Sequence, residues 1–178
     1  LYEGEFAQKD IHEGWKMLQK SSSAGVPEAQ VRLAEMYLKG QNAKKDLRAA
    51  SELFDKAASQ GSWQAMGHLG KLYSSGEEGA PRKDLLAAES WLWKALDSGG
   101  DEATKKDLAN LQDEIGHSYE EGKNGFTKNL LKALSWFEKS EANGCKSTIE
   151  FGNVAFVQNS IGTAYADGSD GYTIDIFE

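Results

Sequence analysis

The stretch that decides the fold runs Ala65-Met-Gly-His-Leu-Gly-Lys-Leu-Tyr-Ser-Ser-Gly76 and resumes at Lys83-Asp-Leu-Leu-Ala-Ala-Glu-Ser-Trp-Leu-Trp-Lys-Ala-Leu-Asp-Ser-Gly99. Its landmarks recur along the chain. A Tyr with a Gly three places on occurs at Tyr37/Gly40, Tyr73/Gly76, Tyr119/Gly122 and Tyr165/Gly168. Lys-Asp or Lys-Asn occurs at Lys9-Asp10, Lys45-Asp46, Lys83-Asp84 and Lys128-Asn129, and a glycine follows 15 residues after each Asp or Asn: Gly25, Gly61, Gly99 and Gly144. Tyr2 with Gly4 reads as a fifth, compressed copy. A period of roughly 20–50 residues signals stacked supersecondary units.

Each unit reads as two helices. The first ends in an apolar, small, any, any, Tyr pattern: Leu33-Ala34 before Tyr37, Leu69-Gly70 before Tyr73, Ile115-Gly116 before Tyr119 and Ile161-Gly162 before Tyr165. Ala29, Ala65, Leu111 and Val157 stand eight residues before each Tyr, and offsets of four and eight keep one helical stripe apolar. The small residue lets a neighbouring helix approach. The Gly after Tyr suits a helix C-cap. The second helix starts at the Asp or Asn, a residue type that accepts hydrogen bonds from unpaired N–H groups, and ends at the later glycine. A bulky pair sits mid-helix: Met17-Leu18, Leu53-Phe54, Trp91-Leu92 and Trp136-Phe137. Trp91 and Trp136 are expected in the core. Pro27 and Pro81 fall in turns or first helical turns, where they are tolerated.

The units are uneven. Gly25 to Tyr37 and Gly61 to Tyr73 span 12 residues, but Gly99 to Tyr119 spans 20 and Gly144 to Tyr165 spans 21. Leu108, Leu111 and Ile115 keep helical spacing, as do Val154, Val157 and Ile161, so the first helices Asp101–Tyr119 and Thr148–Tyr165 are expected to be extended by about two turns. Leu1-Tyr2 reads as the end of a truncated first helix, and Asp175-Ile176-Phe177-Glu178 as a second helix barely begun. The expectation is therefore one helical-repeat domain over 1–178, cut from a longer array, with units at 1–25, 26–61, 62–99, 100–144 and a partial 145–178.

Composition excludes several classes. The net charge of −8 opposes non-specific phosphate binding, which needs clustered Lys and Arg; no nucleic acid is expected. No apolar run reaches the roughly 20 residues of a membrane span. The single cysteine, Cys145, permits no intrachain disulfide and no Cys-rich zinc site. The three histidines, His12, His68 and His117, form no H-x-x-x-H pair and are expected at the surface or rim. There is no P-loop and no G-x-S-x-G. Gly76-Glu-Glu-Gly79 and Gly168-Ser-Asp-Gly171 are acidic turns that would repel phosphate. No catalytic residue, metal site or cofactor is expected. A hydrolase reading rests only on the 28 carboxylates.

These residues resemble the Sel-one-like repeat family, relatives of the tetratricopeptide repeats, whose pattern is A-x-x-x-L-G-x-x-Y-x-x-G, then K-D, then A-x-x-W-x-x-x-A-A-x-x-G. Ala65 to Gly76, Lys83-Asp84, Ala88, Trp91, Ala95 and Gly99 are similar to it almost position by position. The long later first helices depart from that pattern, and the cysteine pair of some bacterial members is absent. The resemblance implies an all-α fold: a right-handed α-solenoid of antiparallel helix pairs, about four units with truncated ends. It also implies protein–protein binding, in settings that range from signalling, envelope and quality-control adaptors to host-binding factors and toxin-immunity proteins. First helices would line the concave face. The expected contact residues are Arg32, Glu35, Gln64, His68, Lys71, Glu114 and His117, with Trp63 and Trp93 as anchors because Trp is enriched at interface hot spots. The expected partner is a protein or peptide. Self-association through exposed repeat ends is the alternative.

Overall fold

A computed structural model describes residues 2–145 and 152–167, with side chains from residue 13 onward. Among the described residues there are eight α-helices and no strand: α1 (Tyr2–Ser23), α2 (Pro27–Lys39), α3 (Leu47–Ala58), α4 (Trp63–Ser75), α5 (Leu85–Asp97), α6 (Glu102–Glu121), α7 (Leu130–Ala142) and α8 (Gly152–Asp167). The chain falls into two compact units, Leu1–Thr104 and Lys105–Glu178. In the first, α1 packs on α2, α2 on α3, α3 on α4 and α4 on α5. In the second, α7 packs on α8, and Ser140 of α7 donates to the Ala109 carbonyl of α6 at 2.8 Å. The expected helix start at Thr148, the turn at Gly168–Gly171 and the helix start at Asp175 lie outside the described residues.

The recurring tyrosine, glycine and Lys-Asp pairs have one physical explanation. The helix-ending glycines Gly40, Gly76 and Gly122 adopt φ of 69°, 65° and 71°, where an L side chain is strained. The chain then returns so that the capping residue's amide donates to the tyrosine carbonyl: Asp46 to Tyr37 at 3.0 Å, Asp84 to Tyr73 at 2.9 Å and Asn129 to Tyr119 at 2.8 Å. The preceding lysine closes over the glycine. A Cβ on Gly76 would lie 3.2 Å from the Lys83 side chain, and one on Gly40 would lie 3.4 Å from Lys45. The same carboxylate or amide starts the next helix. Asp46 accepts from the Ala49 N–H, Asp84 from those of Leu86 and Ala87, and Asn129 from that of Lys132. Such caps contribute about 1 kcal/mol each.

The second helices end earlier than their glycines suggested. α3 stops at Ala58, α5 at Asp97 and α7 at Ala142. Gly61, Gly99 and Gly144 instead hold the following turn at φ of 88°, 97° and 93°. Their amides donate to Ala58, Leu96 and Glu141.

α1 also differs from expectation, running unbroken through Asp10. Residues 5–9 are Glu-Phe-Ala-Gln-Lys, mostly strong helix formers. The equivalent loop before Asp46 contains Asn42 at positive φ. Asp10 therefore starts no helix.

The core lies between the apolar stripes. Phe54 and Leu69 are fully buried, Leu92 is 2% exposed and Phe137 is 1% exposed. In the pairs Leu53-Phe54, Trp91-Leu92 and Trp136-Phe137 the second residue is thus the core residue, whereas Leu18 of the first pair is half-buried. Trp91 and Trp136, expected in the core, are both half-buried: Trp91 packs on the cluster around Phe54 and Leu69 from its edge, and Lys94 and Lys139 stand 4.4 Å and 3.8 Å from the two ring centroids. Their faces look outward, where a cation can cover them. The small residues behave as the pattern required. A Cβ on Gly70 would meet Leu92 Cγ at 2.8 Å, and one on Gly116 would meet Phe137 Cε1 at 2.5 Å.

Candidate functional site

In the first unit, α2 and the α3–α4 turn enclose a cleft of about 620 Å³. Its position follows from local sequence. Gly25 and Gly61 turn the chain at positive φ. Pro27 then opens α2, where its missing N–H costs nothing. Ser62 caps α4, its hydroxyl accepting from the Ala65 N–H. The two helices thus begin alike. Glu28, Val31, Arg32 and Glu35 line one wall, and Trp63 and Gln64 line the other, with Gln60 and Gly61 between.

A buried amide fixes this frame. Gln30, 4% exposed, donates to the Ser22 carbonyl at 3.4 Å and accepts from Gln60 Nε2 at 3.0 Å. That ladder ties the ends of α1 and α3 to α2. Trp63 is half-buried and packs on the cluster around Phe54 and Ala65. Arg32 and Gln64 are exposed. Arg32 makes no ion pair among the described residues.

His68 is half-buried at the rim, with about a quarter of its side chain exposed. It stacks on Phe54 with centroids 4.5 Å apart and planes 14° apart, and its Nε2 lies 3.2 Å from Glu35 Oε1. Burial disfavours the imidazolium and holds the His68 pKa below its ordinary value; the Glu35 carboxylate opposes this and only partly offsets it.

The structure gathers Arg32, Glu35, Trp63 and Gln64 into one cleft, with His68 joined to it through Glu35. Lys71 is exposed nearly one turn further along α4. Trp93 is elsewhere, on α5, 47% exposed, its indole N–H donating to Glu89 at 2.9 Å. Glu114 and His117 belong to α6. His117 sits 3.0 Å from Glu120 Oε2 and 3.6 Å from Asp113 Oδ2, edge-on to Phe137. Sequence reasoning missed Val31 and Gln60. Val31 lies on the flank of the apolar stripe, and the Gln60-Gly61-Ser62 turn reads only as a helix cap.

Among the described residues no three His, Cys, Asp or Glu side chains could hold a metal. No buried side-chain polar atom there lacks a hydrogen-bond partner. No helix among them is long and apolar enough to cross a membrane. Asp55, whose carboxyl is raised by burial and by neighbouring Glu52, lies on the exposed side of α3 and not in the cleft.

Four stretches, residues 1–26, 27–62, 63–100 and 111–145, match the Sel1 repeat. The chain belongs to the Sel1 repeat family. Sel1 repeats generally build protein-interaction scaffolds and are typically non-catalytic. The cleft falls where the matched repeats 27–62 and 63–100 meet. Among solved structures, a Sel1 repeat protein from Oxalobacter formigenes is similar at 24% identity, with 84% of this chain and 98% of that one covered and a TM-score of 0.47. A protective antigen present in uropathogenic Escherichia coli strains, with an SLR fold, is similar at 25% identity and a TM-score of 0.49. That match covers 86% of this chain and 36% of the antigen. No curated protein matches the chain.

Proposed function

We propose that this Sel1 repeat chain is a non-enzymatic adaptor that holds a segment of a partner protein in the α2–α4 cleft. One observation carries the reading: a single concavity combines the half-buried Trp63 with the unpaired Arg32 and the exposed amide of Gln64. Trp63 and Val31 supply apolar area for an inserted side chain. Gln60 and Gln64 can pair with a peptide backbone. Arg32, flanked by Glu28 and Glu35, can set the register of a charged side chain. The ring is braced from behind by the core, so little freedom is lost on binding, as in interface hot spots. The cleft volume lies within the range of ligand-sized sites, roughly 300–1,000 Å³. No cofactor is required.

The test is capture of a cellular partner by the wild type and by Arg32→Ala/Gln64→Ala, two exposed positions whose truncation leaves packing intact. Loss of roughly tenfold in affinity, with an unchanged circular dichroism spectrum, is expected for hot-spot contacts. Equal retention of the partner by both proteins would reject the cleft.

A further inference from the structure

Trp63 and the wall opposite it bear on what kind of side chain the cleft takes. The repeat does not require an aromatic ring at this place. The residues two positions after Gly25, Gly99 and Gly144 are Pro27, Asp101 and Lys146. Two other half-buried tryptophans, Trp91 and Trp136, already have a lysine ammonium at 4.4 Å and 3.8 Å from their ring centroids. Trp63 is half-buried too, but no cation among the described residues covers its ring. The ring lines the open cleft instead. An aromatic face in a partly desolvated site attracts a cation within about 6 Å.

The α2 wall supplies the complementary charge. Glu28 and Glu35 both line the cleft, about two helical turns apart. The residues at these two positions are Gln64 and Lys71 in α4, Asn110 and His117 in α6, and Phe156 and Thr163 in α8. A carboxylate at both is therefore particular to this cleft. Arg32 stands about one turn from each and pairs with neither among the described residues, so the lining carries two carboxylates against one guanidinium. His68, which lies 3.2 Å from Glu35, adds no positive charge near pH 7, because burial holds its pKa below the ordinary value. Val31 lies beside the ring and offers apolar area to the stem of a long cationic side chain.

We infer that the residue a partner inserts into the cleft is basic, a Lys or Arg whose stem packs on Val31 and Trp63 and whose charged head lies over the Trp63 ring, attracted by Glu28 and Glu35. The inference rests on the partner-holding reading of the cleft and names the chemistry of what is held. Arg32 is then left for an acceptor on the same segment, a carboxylate or a backbone carbonyl. Nuclear magnetic resonance titration of the whole chain tests it, with the Trp63 indole N–H identified as the signal lost in Trp63→Leu. The probes are the Nα-acetyl amides of arginine, leucine and glutamate: one cationic, one apolar and one anionic. The arginine probe should shift the Trp63 signal with a dissociation constant on the order of 10 mM, as one partly desolvated cation–π contact allows. It should bind at least about fivefold more tightly than the other two. Glu28→Gln and Glu35→Gln should each weaken it about fivefold, since each removes the attraction of one close charge, and neither should weaken the leucine probe. A leucine or glutamate probe that binds as tightly as arginine overturns the basic class and leaves the partner-holding cleft standing. No shift from any of the three overturns the inference; if partner capture is also indifferent to Arg32→Ala/Gln64→Ala, the cleft reading falls with it. Arginine binding indifferent to both carboxylate replacements overturns the inference equally.

Discussion

Gly67 and Gly70 stand three residues apart in α4, and replacing each by alanine should move stability in opposite directions. Alanine is favoured over glycine inside a helix by up to about 1 kcal/mol, and this gain is common to both sites. The surroundings differ. A Cβ on Gly67 meets nothing within 4 Å, so Gly67→Ala should stabilise by about 0.5–1 kcal/mol. A Cβ on Gly70 would lie 2.8 Å from Leu92 Cγ, 3.0 Å from Leu92 Cδ2 and 3.3 Å from the Ala88 carbonyl oxygen. Leu92 is 2% exposed and has little room to retreat. Overpacking of this kind costs about 1–3 kcal/mol, so Gly70→Ala should destabilise by about 1 kcal/mol net. Gly116→Ala should be worse, because three atoms of the buried Phe137 ring lie at 2.5, 2.7 and 2.9 Å. Urea unfolding followed by far-ultraviolet circular dichroism reads these differences, with an unchanged m-value as the check that only stability moved. The Gly67 and Gly70 variants should differ by about 2 kcal/mol. Equal stability, or a Gly70→Ala variant more stable than the Gly67→Ala one, would refute the packing of α4 against α5.

Three further outcomes are expected. Asp84→Ala should cost about 1 kcal/mol, because two α5 amides lose their acceptor, and Asp84→Asn should be close to neutral; urea midpoints separate them. Burial lowers the His68 pKa, so below an ordinary value of about 6.5 the unfolded chain binds the proton more readily than the folded one. Stability should therefore fall as pH drops from about 6.5 through the lower folded value, and His68→Gln should flatten that slope in unfolding midpoints measured across the window. Ser140→Ala should cost about 0.5–1.5 kcal/mol in thermal unfolding, since it removes a buried hydrogen bond between α7 and α6.

Much of the fold was legible because one local motif recurs. A helix-ending Gly, a Lys-Asp and a fixed distance to the next Gly report backbone geometry that few other residues tolerate, and the structure repeats that geometry at Tyr37, Tyr73 and Tyr119. What misled was identity without context. Trp91 and Trp136 are the largest residues of their pairs, yet a 100° step along the helix turns Phe54, Leu92 and Phe137 inward instead. Asp10 has the right chemistry for a cap but follows residues that continue a helix. The candidate site was legible in part. Arg32, Glu35, Trp63 and Gln64 fall on first-helix positions that the pattern leaves variable, and they converge. Val31 and Gln60 join them only because the turn that ends α3 folds back beside α2 within one repeat, which spacing along the chain does not report.

The central claim is that this Sel1 repeat chain works by holding a partner in the α2–α4 cleft. Site-specific photo-crosslinking in the source cell tests it most directly, with the photoreactive residue at Gln64 in the cleft and, separately, at Lys56 on the exposed side of α3. The account predicts a discrete protein adduct from position 64 that Arg32→Ala abolishes, and none from position 56. Adducts at position 56 alone, or an adduct at position 64 untouched by Arg32→Ala, would contradict it.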